Sequence, residues 1–262
     1  MISACENLLA EIEPPIGWVV FNDPARRNAV SFEMWEAMQA VLERYEHEAD
    51  VRTIVLRGAG GKAFSSGGNI SQFERSSPER TAHFTSIVNA SMRKLSECVK
   101  PTIAMIEGSC IGGGLSIALA CDLRIAAETA RFGMPAARLG SAHAWDAMKK
   151  FTEGIGPSFT KELYFTGRQF SAAEAVTMRL INRAVTEAEL EGFVRDYAAT
   201  IAANAPLSIE AAKGVIHELQ KPVPQIDRAR CDELVERARS SRDFIEGAQA
   251  FKERRKPVWT GS

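Results

Sequence analysis

Apolar positions along the chain switch between the two-residue period of strands and the 3.6-residue period of helices, and the switches mark the elements. Leu8 to Glu13 and Gly17 to Phe21 are short apolar-rich runs on either side of Pro14-Pro15, which predicts two strands joined as a hairpin. Asn22-Asp23-Pro24 breaks the pattern, and Ser31 then stands as the N-cap of a helix in which Met34, Met38, Val41, Leu42 and Tyr45 fall at helical spacing. Thr53 to Leu56 is a short β-branched strand that runs into the turn Arg57-Gly58-Ala59-Gly60-Gly61-Lys62. Residues 78–98 return to the helical period, with Phe84, Ile87, Val88, Met92 and Leu95 on one face, and lead to a strand at 102–106. Strand, helix, strand in that order predicts a right-handed parallel crossover.

The second half is read the same way. Leu123 to Ala126 is a strand, and Phe132-Gly133-Met134-Pro135 makes a turn into a Gly-poor segment through Asp146, of which 141–146 is read as a loop. Residues 157–165 and 171–178 are predicted helical, and Leu180 to Val185 is predicted as an edge strand. From 187 onward the chain is helical, over Leu190–Ala203, Ser208–Leu219, Ile226–Arg239 and Arg242–Arg254, with Pro222 and Pro224 dividing the series. The pattern predicts an α/β fold: a core over residues 1–200 built on a parallel sheet, and a helical region over 201–262.

One stretch stands apart. Residues 101–122 read as a short apolar strand, the triplet Gly112-Gly113-Gly114, and an apolar helix with no charge before Asp122. Glycines at the mouth of a helix leave backbone N–H groups uncovered by side chains, where a ligand oxygen meets the positive helix end. A second glycine turn, Gly67-Gly68, follows Ala63-Phe64-Ser65-Ser66. Crevices at the carboxyl ends of parallel strands gather such turns, and two converging N–H groups make an oxyanion hole for a carbonyl oxygen that gains negative charge; a thioester is a suitable client. Phosphate-binding alternatives lack their patterns, since neither G-x-G-x-x-G nor G-x-x-x-x-G-K-[S/T] occurs. Gly114-Leu115-Ser116-Ile117-Ala118 approaches the nucleophile elbow G-x-S-x-G, but it ends in alanine and lies inside the predicted helix.

Composition narrows the partners. The 262 residues carry a net charge of −1 with a pI near 6.5, and the cationic side chains are scattered, which gives no reason to expect nucleic acid. Five cysteines without a C-x-x-C pair suggest reduced, buried thiols rather than disulfides or a metal site. The longest apolar stretch is too short to span a bilayer, and a soluble cytoplasmic protein is expected.

Read together, Ala63 to Ile70, Ile106-Glu107-Gly108 through Gly114, Ala120-Cys121-Asp122-Leu123-Arg124-Ile125-Ala126, Phe132-Gly133-Met134-Pro135 and Phe251 to Pro257 occur in the order seen in the crotonase (enoyl-CoA hydratase/isomerase) superfamily, which the chain resembles over nearly its whole length. The resemblance implies a spiral of ββα units, a C-terminal helical section that builds homotrimers or homohexamers, and an acyl-CoA substrate with no other cofactor and no metal. It places Gly68 and Gly113 as the two oxyanion donors, Arg26, Arg27 and Ala29 near the CoA phosphates, and Ala63, Ser65 and Ile70 near adenine and pantetheine. Lys252 or Lys256 would reach the 3′-phosphate from a neighbouring subunit.

The resemblance also exposes a departure. Superfamily hydratases use two glutamates, one two residues beyond the glycine triplet and one after the proline of F-G-x-P; here those positions hold Ser116 and Ala136. Neither is a carboxylate base, so two-glutamate hydration is not expected. Asp146 falls close to where related dehalogenases and dienoyl-CoA isomerases carry a catalytic aspartate, and His143 has the side chain suited to acid–base work near neutral pH. His83 is a further candidate. The expected chemistry is therefore enolate stabilisation on a thioester, with decarboxylation, thioester or C–C hydrolysis through Asp146 or His143, and acyl-CoA binding without turnover as alternatives.

Overall fold

The computed structural model describes residues 2–68 and 78–262. Eleven strands among the described residues form two sheets. The larger has seven strands in the order β1 (Ile2–Cys5), β2 (Leu8–Glu13), β3 (Ile16–Phe21), β4 (Thr53–Gly58), β6 (Thr102–Ile106), β8 (Leu123–Ala127) and β11 (Arg183–Val185). The hairpin β2–β3 is antiparallel as predicted, and β3, β4, β6, β8 and β11 run parallel to one another. The smaller sheet has the order β10 (Gln169–Ser171), β9 (Arg131–Gly133), β7 (Ser109–Ile111) and β5 (Ala63–Ser65). Successive strands β4 to β9 therefore alternate between the sheets. Helices α2 (Pro78–Glu97), α3 (Gly113–Ala120) and α4 (Trp145–Thr166) follow the strand pairs, which is the ββα repeat expected from the resemblance.

The large sheet is buried on both faces, and the period of two along its strands decides which side chain goes where. On β3, Val19 and Phe21 enter one buried cluster with Met34, Met38, Leu42 and Tyr45 of α1 (Phe32–His47). Ile16, Trp18 and Val20, on the alternate positions, pack with Val55, Ile103 and Met105 against Leu190, Val194 and Ala198 of α6 (Leu190–Ala202). Ser31 caps α1 by accepting the Met34 N–H, as the sequence predicted. Burying each large apolar side chain of these clusters contributes about 1.5–3 kcal/mol.

Several expectations need correction. Residues 131–133 form β9 before the chain turns at Met134-Pro135, so the turn begins two residues later than predicted. Ala136–Leu139 is a short 3-10 helix, and α4 already starts at Trp145, which removes Asp146 from the expected loop. Gly156, with φ 79°, interrupts α4 just before Pro157, and only the part after this break resembled a helix in the sequence. Leu180 to Asn182 connect elements, and the edge strand is confined to Arg183–Val185. Residues 171–178 shorten to α5 (Ala172–Thr177), because Ser171 serves as cap and as the end of β10. The C-terminal helices are α7 (Pro206–Leu219), α8 (Arg228–Arg239) and α9 (Arg242–Glu253). Of the cysteines, Cys98, Cys110 and Cys121 are buried, but Cys5 and Cys231 are only partly so. Among the described residues no helix is long and apolar enough to cross a membrane.

Two polar clasps fix the geometry that the site inherits. Asn28 is fully buried between the two sheets' connections: its Nδ2 donates to Ala59 O at 3.0 Å and Ala63 O at 2.7 Å, and its Oδ1 accepts the Asp23 N–H at 3.0 Å. Its φ of 56° is in the left-handed region, which asparagine tolerates better than most residues. At the other end, Glu174 accepts the Ser171 N–H and hydroxyl at 2.8 and 2.9 Å and pairs with Arg168 at 2.8 Å. The Ser171 N–H, followed by the Arg168 guanidinium, pulls its carboxyl down to about 2.

Asn28→Ala takes the side-chain donor from the buried Ala63 carbonyl and the partly buried Ala59 carbonyl and strains the left-handed backbone; we expect about 2–4 kcal/mol lower stability by denaturant titration. For Glu174→Gln the sign follows from the lowered carboxyl. Its ionised form stabilises the fold above the ordinary 4.5, and that stabilisation fades as pH falls through about 2. Thermal melts of Glu174→Gln and wild type should differ at pH 7, with the variant lower, and converge as pH drops from 4.5 towards 2.

Candidate functional site

Strands β5 and β7 are parallel neighbours, so their carboxyl ends deliver the turns Gly67-Gly68 and Gly112-Gly113 to the same edge of the small sheet. Gly67 has φ 104° and Gly112 φ 57°, conformations that side chains rarely permit. The turns are in contact. A Cβ on Gly67 would stand 2.9 Å from Gly113 N, and one on Gly113 would stand 3.1 Å from Gly68 N. One step further, a Cβ on Gly114 would lie 2.4 Å from Ser65 O, so α3 starts directly against β5. Gly112 N donates to Gly133 O at 2.9 Å and Ser116 N to Gly112 O at 3.1 Å, whereas the N–H groups of Gly68 and Gly113 have no backbone acceptor among the described residues.

The helix behind Gly113 adds to the field there. Helix α3 carries no charged side chain, and its C-terminal carbonyls are met by the half-buried Arg124, which donates to Cys121 O at 2.8 Å and Ala118 O at 3.4 Å. The negative end is thus neutralised and the positive end is left open at the glycines. Such a pair of N–H groups can hold one oxygen that carries partial negative charge.

The basic turn is docked on this edge. Ser66 N donates to Arg27 O at 2.9 Å, Ser66 Oγ to Arg26 O at 3.2 Å, and Val30 N to Gly67 O at 2.8 Å. Arg26 and Arg27 are exposed, Arg26 paired with Asp23 at 3.2 Å, and Ala29 is half-buried. Ala63 and Ser65 are buried, and Ser65 Oγ accepts the Gly67 N–H at 3.1 Å. The structure therefore brings Arg26, Arg27, Ala29, Ala63, Ser65 and Gly68 together, while Ile70 lies outside the described residues. Sequence reasoning missed Asn28 as the buried clasp between these segments; an asparagine wedged between a basic pair and a helix cap was its only signal.

The remaining candidates separate. Ser116 is half-buried on α3 and its hydroxyl donates back to Gly112 O at 3.4 Å, while Ala136 is buried. Ser141 donates to Ala136 O through its N–H at 3.0 Å and its hydroxyl at 3.3 Å, which pins the start of the 141–144 segment beside that position. His143 turns inward: its ring meets Tyr164 edge-on at 5.2 Å, and burial holds its pKa below the usual imidazole value. Asp146 lies in the first turn of α4 and is exposed. His83 is exposed on α2 with its ring 5.6 Å from Phe32. Lys252 and Lys256 are exposed at the end of α9. Concavities of about 390 and 140 Å³ occur elsewhere, one beside Arg242 and Arg255, the other around Lys213 and His217.

Comparison with known proteins gives the same assignment from an independent direction. The enoyl-CoA hydratase/isomerase family model matches residues 11–262. A short-chain-enoyl-CoA hydratase of Clostridium acetobutylicum is 32% identical over 211 residues, covering 80% of this chain and 81% of the relative. A carnitinyl-CoA dehydratase of Salmonella enteritidis is 32% identical over 244 residues, covering 91% and 93%. Among solved structures, an enoyl-CoA hydratase/carnithine racemase from Magnetospirillum magneticum superposes with a TM-score of 0.93 at 32% identity, over 98% of this chain and 97% of that one. With the alternating ββα strands, the abutting glycine turns and a match over all but the first ten residues, the chain belongs to the enoyl-CoA hydratase/isomerase family.

Proposed function

We propose that the protein is an acyl-CoA enzyme that holds the thioester carbonyl between the N–H groups of Gly68 and Gly113 and stabilises the enolate. The observation that carries this reading is the contact between the two glycine turns, which sets the backbone nitrogen of Gly68 beside Gly113 and that of Gly113 beside Gly67. Two such donors lower the energy of a carbonyl oxygen as it gains charge, and the open end of α3 adds to their effect. The family and its named hydratase and dehydratase relatives support a CoA thioester as ligand. Arg26 and Arg27 then serve the CoA phosphates from the docked turn.

Reaction type follows from what the site lacks. With Ser116 and Ala136 at the glutamate positions, no carboxylate there delivers water and proton to an enoyl double bond. Chemistry that leaves an enolate without prior base action fits better: a malonyl-type thioester loses CO2, its electron pair passes into the enolate held at the glycines, and a solvent proton completes the product. A second reading, thioester hydrolysis, is favoured by His143, a neutral imidazole able to take a proton from water. Homotrimers fit the exposed apolar side chains of the C-terminal region, among them Phe244 at 61%, Ile245 at 65% and Phe251 at 87% exposure, and in that assembly Lys252 or Lys256 would meet a neighbour's ligand.

Mixed with crotonyl-CoA, the purified protein should leave the conjugated enoyl absorbance unchanged, while mass spectrometry of malonyl-type thioesters should detect loss of CO2. Rapid loss of the enoyl absorbance would overturn the reaction type. Gly113→Ala inserts a methyl 3.1 Å from Gly68 N and should lower kcat/KM by about 100-fold or more with an unchanged circular dichroism spectrum. Unaltered turnover would remove the glycine pair from the mechanism.

A further inference from the structure

Glycine allows the two turns to approach but leaves their backbone torsions free, so other groups must hold each peptide in place. On the Gly113 side regular structure does this. Gly112 N donates to Gly133 O at 2.9 Å, and Gly112 O accepts the Ser116 N–H at 3.1 Å where α3 opens. The peptides on both sides of Gly112 are thus fixed by main-chain bonds. Gly67 differs, because it stands in neither a helix nor a strand. Its carbonyl accepts the Val30 N–H at 2.8 Å, but its own N–H donates to a side chain, Ser65 Oγ, at 3.1 Å. Among the described residues this hydroxyl is the acceptor that the buried Gly67 N–H has.

These two bonds set the direction of the next amide. In a planar trans peptide the C=O and N–H point opposite ways, so a Gly67 carbonyl pinned to Val30 turns the Gly68 N–H away from Val30. Gly113 stands beside that nitrogen, since a Cβ on Gly113 would lie 3.1 Å from it. With Ser65 Oγ gone, rotation about the Gly67 N–Cα bond is opposed by the Val30 contact alone, and the Gly68 N–H loses its fixed aim. Ser65 also touches the other turn. A Cβ on Gly114 would stand 2.4 Å from Ser65 O and 2.8 Å from Ser65 Cβ, so the first turn of α3 closes over this residue. Enclosed in this way, Ser65 has no exposed surface, and its hydroxyl is turned to the backbone.

We propose that Ser65 is a positioning residue for the oxyanion pair: its hydroxyl oxygen, with the Val30 N–H, fixes both peptides that flank Gly67 and so aims the Gly68 N–H at the ligand oxygen. Ser65 acts through the backbone and does not touch the ligand with its side chain. This role rests on the reading that Gly68 and Gly113 hold a thioester carbonyl. It assigns the two donors different supports, a helix for Gly113 and one buried hydroxyl for Gly68.

Butyryl-CoA, isotope-labelled at the thioester carbonyl carbon, reports on the donors, because hydrogen bonding to the carbonyl moves its NMR signal downfield. Bound to the full-length wild-type protein, the signal should show that shift. Ser65→Ala removes the acceptor, and Ser65→Cys keeps a side chain of similar size whose sulfur accepts weakly. Both should draw the bound signal back towards its free position while butyryl-CoA affinity stays within about threefold. Both should also lower kcat on a malonyl-type thioester about tenfold with KM unchanged, since one of two donors is misaimed. A bound signal at the wild-type position in either variant overturns the role of the hydroxyl. Should neither variant fold, amide exchange in the wild-type protein decides: protection of the Gly67 N–H by about 100-fold or more supports the bond, and exchange at the rate of an open chain overturns it. Wild-type binding without a downfield shift overturns the oxyanion reading and this role together, whereas a shift that both variants keep leaves that reading intact and removes Ser65 alone.

Discussion

Two backbone turns approach so closely that a side chain on Gly67 or Gly113 would press on the opposite turn, and most of the architecture serves that approach. Gly67-Gly68 and Gly112-Gly113 meet because β5 and β7 are adjacent parallel strands, and these are adjacent because β4 and β6 stand in the same order one layer away. The large sheet, buried on both faces, sets the order; the small sheet only copies it. A methyl group on either side would force the turns apart or fill the space between them. Backbone packing, rather than any reactive side chain, is therefore the element on which the site rests.

Helix α3 extends the same economy. It is apolar throughout and enclosed, so it offers no side-chain chemistry beyond Ser116, yet its orientation is useful. Arg124 answers its carbonyl end and the glycines leave its amide end bare. In the proposed reaction, stabilisation of charge and movement of protons are thus assigned to separate parts of this fold. The former is built into strands and helix, and the latter depends on whatever side chains stand at 116, 136 and 143.

How much of this was legible followed from element length. The hairpin at Pro14-Pro15, the Ser31 cap and the strand-turn-helix at 101–122 carry several turns or pleats each, and their periods identify them. Strands β5, β7, β9 and β10 have three residues apiece, too few to display a period of two, so the small sheet was invisible except as glycine turns. The first part of α4 was hidden by Gly154, Gly156 and Pro157, which read as breakers although only Gly156 leaves helical geometry. The glycine pair could be picked out from residue type and from the resemblance; Asn28 could not, because its role depends on burial, which a single asparagine does not announce.

Asn28 also ties together two parts of the proposed site. Its side chain locks the basic turn to the carbonyls of Ala59 and Ala63, and Ser66 and Gly67 are bonded to the carbonyl of Arg27 and the amide of Val30. The surface that would greet a nucleotide handle and the peptide that would greet the reacting carbonyl thus move as one body. Contact energy gained far from the reacting bond is then available to align it, the means by which a non-reacting tail contributes to rate rather than only to affinity.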